Sequence, residues 1–159
     1  MKYYLKERLR FFKDKGILYD EAKNIVYKYD HRRYFSPVID LYKSDEKIGC
    51  VQTEFSLSDP IYTLYYGDKK IGRLEESLIA PVHEFILQGL EWTVKGDMFS
   101  MKYDIYDEKG EHLVNVSQQP FDQKLCMCID IENEEKEELI ILCVMAVYQY
   151  QKQRRAALI

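Results

Sequence analysis

The sequence predicts a mainly β fold with a single helix: a closed antiparallel barrel of about twelve strands wrapped around a buried, hydrophobic C-terminal α-helix. Three observations carry this prediction. Apolar and polar residues alternate with period two, broken by turn chemistry, as far as about residue 130. Within that region hairpin-like segments recur with the same spacing. The chain then changes period and ends in "NEEKEELIILCVMAVYQYQKQRRAALI", a helix that is apolar on every side.

The alternation is clearest at the start. In "KYYLKERLRF" the positions Lys2, Tyr4, Lys6, Arg8 and Arg10 share one face, while Tyr3, Leu5, Leu9 and Phe11 share the other. Glu7 is the exception on the apolar face. Later, "EWTVKG" places Trp92 and Val94 together, and "MKYDIYD" sets Met101, Tyr103 and Ile105 against Lys102 and Asp104. Each stretch reads as a strand with one wet face.

The hairpins resemble one another. "ILYDEAKNIVYKY", "DLYKSDEKIGCV" and "TLYYGDKKIGRL" each place a Tyr six residues before an Ile. "DIYDEKGEHLVNV" is a fourth copy, with His112 at the sixth place and Leu113 after it; His112 is expected in the alternating set of Val114 and Val116. The centres carry charged, Gly, Asn or Asp residues, as tight turns require. Pro37, Pro60, Pro81 and Pro120 are expected between strands, where a missing N–H does no damage. A sheet of this size tends to curl. With no linker dividing it, residues 1–159 read as one domain, with strands over about 2–130 and the helix over about 134–155.

Charge order marks that helix. Asn133 is the expected N-cap, and Glu134, Glu135, Glu137 and Glu138 lie in the first turns, where carboxylates suit the positive end of the dipole. Lys152, Arg154 and Arg155 lie at the far end. The uncharged window from Leu139 to Gln151 is shorter than the roughly 20 residues a membrane span needs. No transmembrane span is therefore expected. Leu139, Ile140, Ile141, Leu142, Val144, Met145 and Val147 are instead assigned to the barrel core.

Composition excludes several classes. A chain 47% hydrophobic and 31% charged is globular rather than disordered. Its net charge of −4 argues against nucleic acid as a partner. Cys50, Cys126, Cys128 and Cys143 show neither disulfide-framework nor zinc spacing and read as reduced apolar fillers. With no apolar leader in "MKYYLKERLRFFKDKG", the expected location is the cytoplasm, peripheral to a membrane if lipids are bound.

Several stretches are shared with a known family. "YYLKERLRFFKDKGILYDE", "EFSLSDPIYTLYY" and "LEWTVKGDMFSMKYDIYDEKGEHLVNVSQQ" occur in order, followed by the apolar helix after "CIDIENEEKEE". Trp92, Val94, Gly96 and Asp97, then Met98 and Phe99, are the most telling. The chain resembles the LURP-one-related family, a branch of the Tubby C-terminal-like fold that also includes phospholipid scramblases. That resemblance implies the twelve-stranded barrel threaded by its C-terminal helix.

No catalytic constellation stands out, so no catalytic residue, cofactor or metal is assigned. His31, His83 and His112 are far apart in sequence and read as structural. The acids Asp130, Glu132, Glu134, Glu135, Glu137 and Glu138 lie where helix capping wants them, and no bending Gly makes a calcium loop of them. A basic strip is the remaining candidate. Lys2, Lys6, Arg8 and Arg10 lie on one strand face, and Arg32 and Arg33 add charge near a strand end. Cations with aromatics hold anionic phospholipid headgroups, and the resemblance supports this, since Tubby relatives bind phosphoinositides through basic residues on the barrel surface. A solvated strand face, basic for solubility, is the plainer alternative. The expected function is a non-enzymatic binding or adaptor module for anionic headgroups or a protein partner. The alternatives are a scramblase-like or membrane-anchored protein using the helix, and a small-molecule carrier or enzyme.

Overall fold

The structure, a computed structural model, describes residues 1–8, 13–32, 36–55, 60–75, 84–97 and 100–157. Within the described residues the alternating stretches form strands, while Leu9, Arg10, Phe11, Met98 and Phe99 lie outside them. In chain order the strands are β1 (Lys2–Arg8), β2 (Lys13–Tyr19), β3 (Ile25–Arg32), β4 (Val38–Lys43), β5 (Glu46–Phe55) and β6 (Pro60–Tyr66). There follow β7 (Lys69–Glu75), β8 (Glu84–Leu87), β9 (Trp92–Asp97), β10 (Lys102–Tyr106), β11 (His112–Phe121) and β12 (Lys124–Ile131). All pairings are antiparallel, and one twelve-stranded sheet runs in the order β7-β6-β5-β4-β3-β2-β1-β12-β11-β10-β9-β8.

The sheet curls until its ends nearly meet. The two edge strands, β7 and β8, are joined by one bridge, Arg73 to Gln88, with reciprocal backbone hydrogen bonds of 2.9 Å. The expected full closure is thus a seam in the described residues. The bridge falls just past β8, which ends at Leu87, so β8 itself pairs only with β9 among the described residues.

The repeated hairpins share a feature finer than their spacing. Each carries a β-bulge immediately before its repeat tyrosine: Leu18/Tyr19, Leu41/Tyr42, Leu64/Tyr65 and Ile105/Tyr106. The extra residue is Val26, Ile48, Ile71 or Leu113, apolar in every copy and packed on the core. A bulge shifts the alternation by one residue and sharpens the bend that a closing sheet needs. It also corrects the expectation for His112. Val114 and Val116 face the core, but the bulge at Leu113 turns His112 to the outer face, beside Asp104.

Glycines sit opposite buried tyrosines. Gly16 pairs with Tyr29, and a Cβ on Gly16 would overlap the Tyr29 ring. Gly96, in the stretch that carries the family resemblance, pairs with Tyr103 at φ +139. A side chain there would collide with the Lys102 carbonyl, so only glycine fits.

The helix, α1, spans Glu137–Ala157 after a single 3-10 turn at Glu134–Lys136. Asn133 precedes that turn in extended conformation, but its side chain makes no capping hydrogen bond, contrary to expectation. Every residue from Ile140 to Gln151 is buried, which only an encircled helix allows. Ile140, Ile141, Leu142, Val144, Met145 and Val147 are fully enclosed, and Leu139 is half-buried at the mouth. Polar contacts fasten both ends. Glu137 accepts hydrogen bonds from Tyr3 (2.7 Å) and Tyr27 (2.5 Å) in the wall, and Glu138 accepts one from Tyr66 (2.5 Å). At the far end Tyr148 and Lys152 both donate to Glu7, and Gln149 donates to Thr53 at 2.5 Å. Glu7, the exception in the first strand's pattern, faces inward because its partner is on the helix.

Of the prolines, Pro37 lies outside the strands and Pro60 opens β6. Pro120 instead falls inside β11, opposite Leu125. The β10 pairing ends at Val116, so Pro120 sits where β11 has only β12 as a neighbour and a missing N–H is tolerable. Pro81 lies outside the described residues.

Candidate functional site

The β11–β12 hairpin is longer than the barrel needs. Beyond Val116 it folds back over the outer surface: Ser117 and Tyr4 both pair with Cys128, yet it is Phe121, four residues further on, that stacks on Tyr4 at 4.3 Å and 7°. Tyr4, Phe121, Cys126 and Cys128 form a second apolar cluster on the outside of the sheet, with Tyr19 against it. Cys126 and Cys128 do point the same way, as their spacing requires, and both are buried beneath this fold-back. The hairpin turns at Asp122 and Gln123, both at positive φ, the pair of conformations a two-residue turn demands.

Between the folded-back hairpin and the sheet lies a groove of about 850 Å³. Four lysines line it: Lys6 from β1, Lys15 from β2, Lys28 from β3 and Lys124 from β12. Register explains the grouping. Lys6, Ile17, Lys28 and Tyr42 are successive cross-strand partners in one row, and Lys15 stands in the next row opposite Arg8. Leu125 is on the lip and is 66% exposed. Three carboxylates share the lining: Asp30 and Asp45 at the β3–β4 side, and Glu7 from β1, which Lys152 neutralises from the helix.

The lysines differ in freedom. Lys6 is held by Asp122 at 2.6 Å, and its ammonium lies 5.4 Å from the centres of both the Tyr19 and Phe121 rings. The hydrogen bond from Lys6 and a second from Lys23 lower the Asp122 pKa, and the same carboxylate raises that of Lys6. Lys28 makes a loose pair with Asp45 at 3.9 Å. Lys15 and Lys124 make no ion pair among the described residues.

The predicted basic strip is therefore partly dispersed. Lys6 belongs to the groove. Lys2 is half-buried and stands opposite Asp130. Arg8 closes β1 with its backbone in register with Lys15. Arg32 lies further along β3 and reaches Asp40 at 3.9 Å. Arg10 and Arg33 lie outside the described residues. Lys15, Lys28, Lys124 and Leu125 are groove residues outside the predicted strip. The first two occupy outward positions in "KDKGILY" and "IVYKYDHR", so alternation could have found them; Lys124 and Leu125 required knowledge of the fold-back.

The remaining titratable groups have structural surroundings. His31 is buried, with Nδ1 3.6 Å from Asp14, and His83 lies outside the described residues. His112 sits between Asp104 (2.7 Å) and Glu132 (3.1 Å). All four cysteines are buried, and burial raises the thiol pKa of Cys50, Cys128 and Cys143. Among the described residues no group of His, Cys, Asp or Glu is arranged to hold a metal ion, and no helix is long and apolar enough to cross a membrane.

No curated protein and no solved structure matches the chain. A family model described as LURP-one-related matches residues 1–148, all twelve strands and α1 as far as Tyr148. The folded-back hairpin and the first half of the central helix are thus within the matched region, and the chain belongs to the LURP-one-related family.

Proposed function

We propose that this protein is a non-catalytic binding module that takes an anionic headgroup in the lysine groove. The observation that carries the reading is convergence: Lys6, Lys15, Lys28 and Lys124, from four strands, face one groove of about 850 Å³ in a chain whose net charge is −4. A local positive concentration on an acidic protein attracts anions where the protein as a whole repels them. Each lysine contributes about 1 kcal/mol near an anionic membrane surface, so Lys15 and Lys124, which make no ion pair among the described residues, contribute about 2 kcal/mol together, and Asp30 and Asp45 in the same lining oppose part of it, which makes binding weak and salt-sensitive. The enclosed helix supports the same choice, because its apolar side chains already have partners in the wall and do not need lipid.

Flotation with neutral and anionic vesicles, at low and high salt, tests this. Binding to anionic vesicles alone is expected, lost in high salt and lost when Lys15, Lys28 and Lys124 are all changed to Glu. Indifference to those three substitutions overturns the groove as the site. Absence of binding to both vesicle types overturns the lipid reading and leaves a protein as the partner.

A further inference from the structure

Charge brings a protein to an anionic surface but does not fix its depth or orientation. The groove carries a second feature suited to that. Leu125, at 66% exposure, is the most exposed of the large hydrophobic side chains among the described residues. Lys124 and Leu125 are consecutive in β12, so their side chains leave opposite faces of the strand, yet both border the groove, the cation on one side of the hairpin and the exposed apolar side chain on the other. A single exposed leucine is ordinary on a protein surface, but its placement here is not arbitrary. The hairpin that presents it is anchored to the barrel by the Tyr4–Phe121 stack and by the Asp122 contacts to Lys6 and Lys23. The exposed leucine is therefore presented from a hairpin tied to the barrel at its tip.

We infer that the β11–β12 hairpin is a membrane-docking element: the groove lysines Lys15, Lys28 and Lys124 contact anionic headgroups while Leu125 enters the apolar region beneath them. This rests on the headgroup reading of the groove and adds the bilayer as the partner, as distinct from a free anion. Complementarity supports it: the lysines match the headgroup layer and the leucine matches the acyl boundary, the arrangement by which peripheral elements combine electrostatic and apolar contact.

Leu125→Trp, floated on anionic vesicles containing acyl-chain-brominated lipid, tests the inference. Trp92, the native tryptophan, is buried and supplies a constant background. Quenching of the new tryptophan on binding is expected, and the uncharged variant Leu125→Asn is expected to weaken vesicle affinity roughly 20-fold, the loss of one leucine's apolar burial. Binding of a soluble inositol phosphate is expected to be unchanged in Leu125→Asn, which alters no charge, and abolished by the triple lysine-to-glutamate variant. If vesicle binding stays salt-sensitive while the introduced tryptophan is unquenched and Leu125→Asn binds as tightly as the parent, the docking element is overturned and the groove survives. If neither vesicles nor inositol phosphate bind, both readings fall. If only the soluble anion binds, the bilayer is excluded as the partner.

Discussion

Glu7, on the first strand, and Lys152, on the last turns of the helix, form an ion pair inside the barrel, with Tyr148 donating to the same carboxylate. The two residues are 145 positions apart. Asp14 is also within 3.5 Å of the ammonium. The pair is largely shielded, with side chains 16% and 23% exposed, and it fixes how far the helix enters the barrel.

Removing Glu7 leaves Lys152 shielded, with Asp14 at 3.5 Å as its remaining counter-charge. Glu7→Gln is expected to cost about 2 kcal/mol in denaturant unfolding, the loss of a charge-assisted hydrogen bond. Lys152→Met in the same background should recover part of that loss. A double-mutant cycle with zero coupling would show that the pair does not hold the helix.

Leu142 lies at the centre of the enclosed helix and is fully buried. Leu142→Ala is expected to destabilise by about 3 kcal/mol through the cavity it leaves. Leu142→Asp is expected to prevent folding, because the wall offers no partner for a carboxylate there. A chain ending before Glu134 should be insoluble or molten by near-UV circular dichroism. A soluble product with a cooperative melt would refute the central role of the helix.

Glu137 begins the helix between two wall hydroxyls. Burial first, then the hydrogen bond to this carboxylate, raise the pKa of both Tyr3 and Tyr27, so both remain donors at any ordinary pH. Tyr27→Phe removes a 2.5 Å bond to a charged acceptor and is expected to cost about 2 kcal/mol. Tyr3→Phe should cost less, since its bond is longer and Tyr27 remains. Chemical denaturation of the two variants side by side checks the order.

His112 gives a pH dependence with a definite sign. Its burial pulls the pKa down, but hydrogen bonds and charge from Asp104 and Glu132 outweigh it and hold the value above the ordinary 6.5. A group whose pKa is raised on folding stabilises the protonated native state. That stabilisation is fully present below about pH 6.5 and is lost as pH rises through the folded value. His112→Gln should remove this part of the slope from melting curves taken across that window. An identical slope in parent and variant would contradict it.

Gly96 adopts φ +139 with the backbone of Lys102 and Tyr103 against it. Gly96→Ala is expected to cost about 3 kcal/mol from backbone strain and displacement of β10. The melting temperature and the near-UV signal of the adjacent aromatics report it. Unchanged values would mean that β9 relaxes freely.

Much of the barrel is legible in the amino-acid order alone. Alternation in "KYYLKERLRF" told which of Tyr3, Leu5, Lys2 and Lys6 face in or out, because side-chain direction in a strand depends only on parity. The four hairpins and the encircled helix followed from spacing and from the absence of a polar face between Leu139 and Tyr148. Parity fails where a bulge intervenes, and this is why alternation alone sets His112 with Val114. Glu7 looked anomalous because its reason lies on Lys152.

The groove was only partly visible for a related cause. Read one at a time, Lys6, Lys15, Lys28 and Lys124 are simply outward positions or loop residues. Whether they meet depends on the register of four neighbouring strands and on the fold-back of β11–β12 over Tyr4. Strand faces, hairpins and the buried helix are consequences of local periodicity and hydrophobicity, and the amino-acid order was enough for them. The inward ion pair, the seam and the meeting of the lysines depend on contacts between residues distant in the chain, and they emerge only once the barrel has closed around its helix.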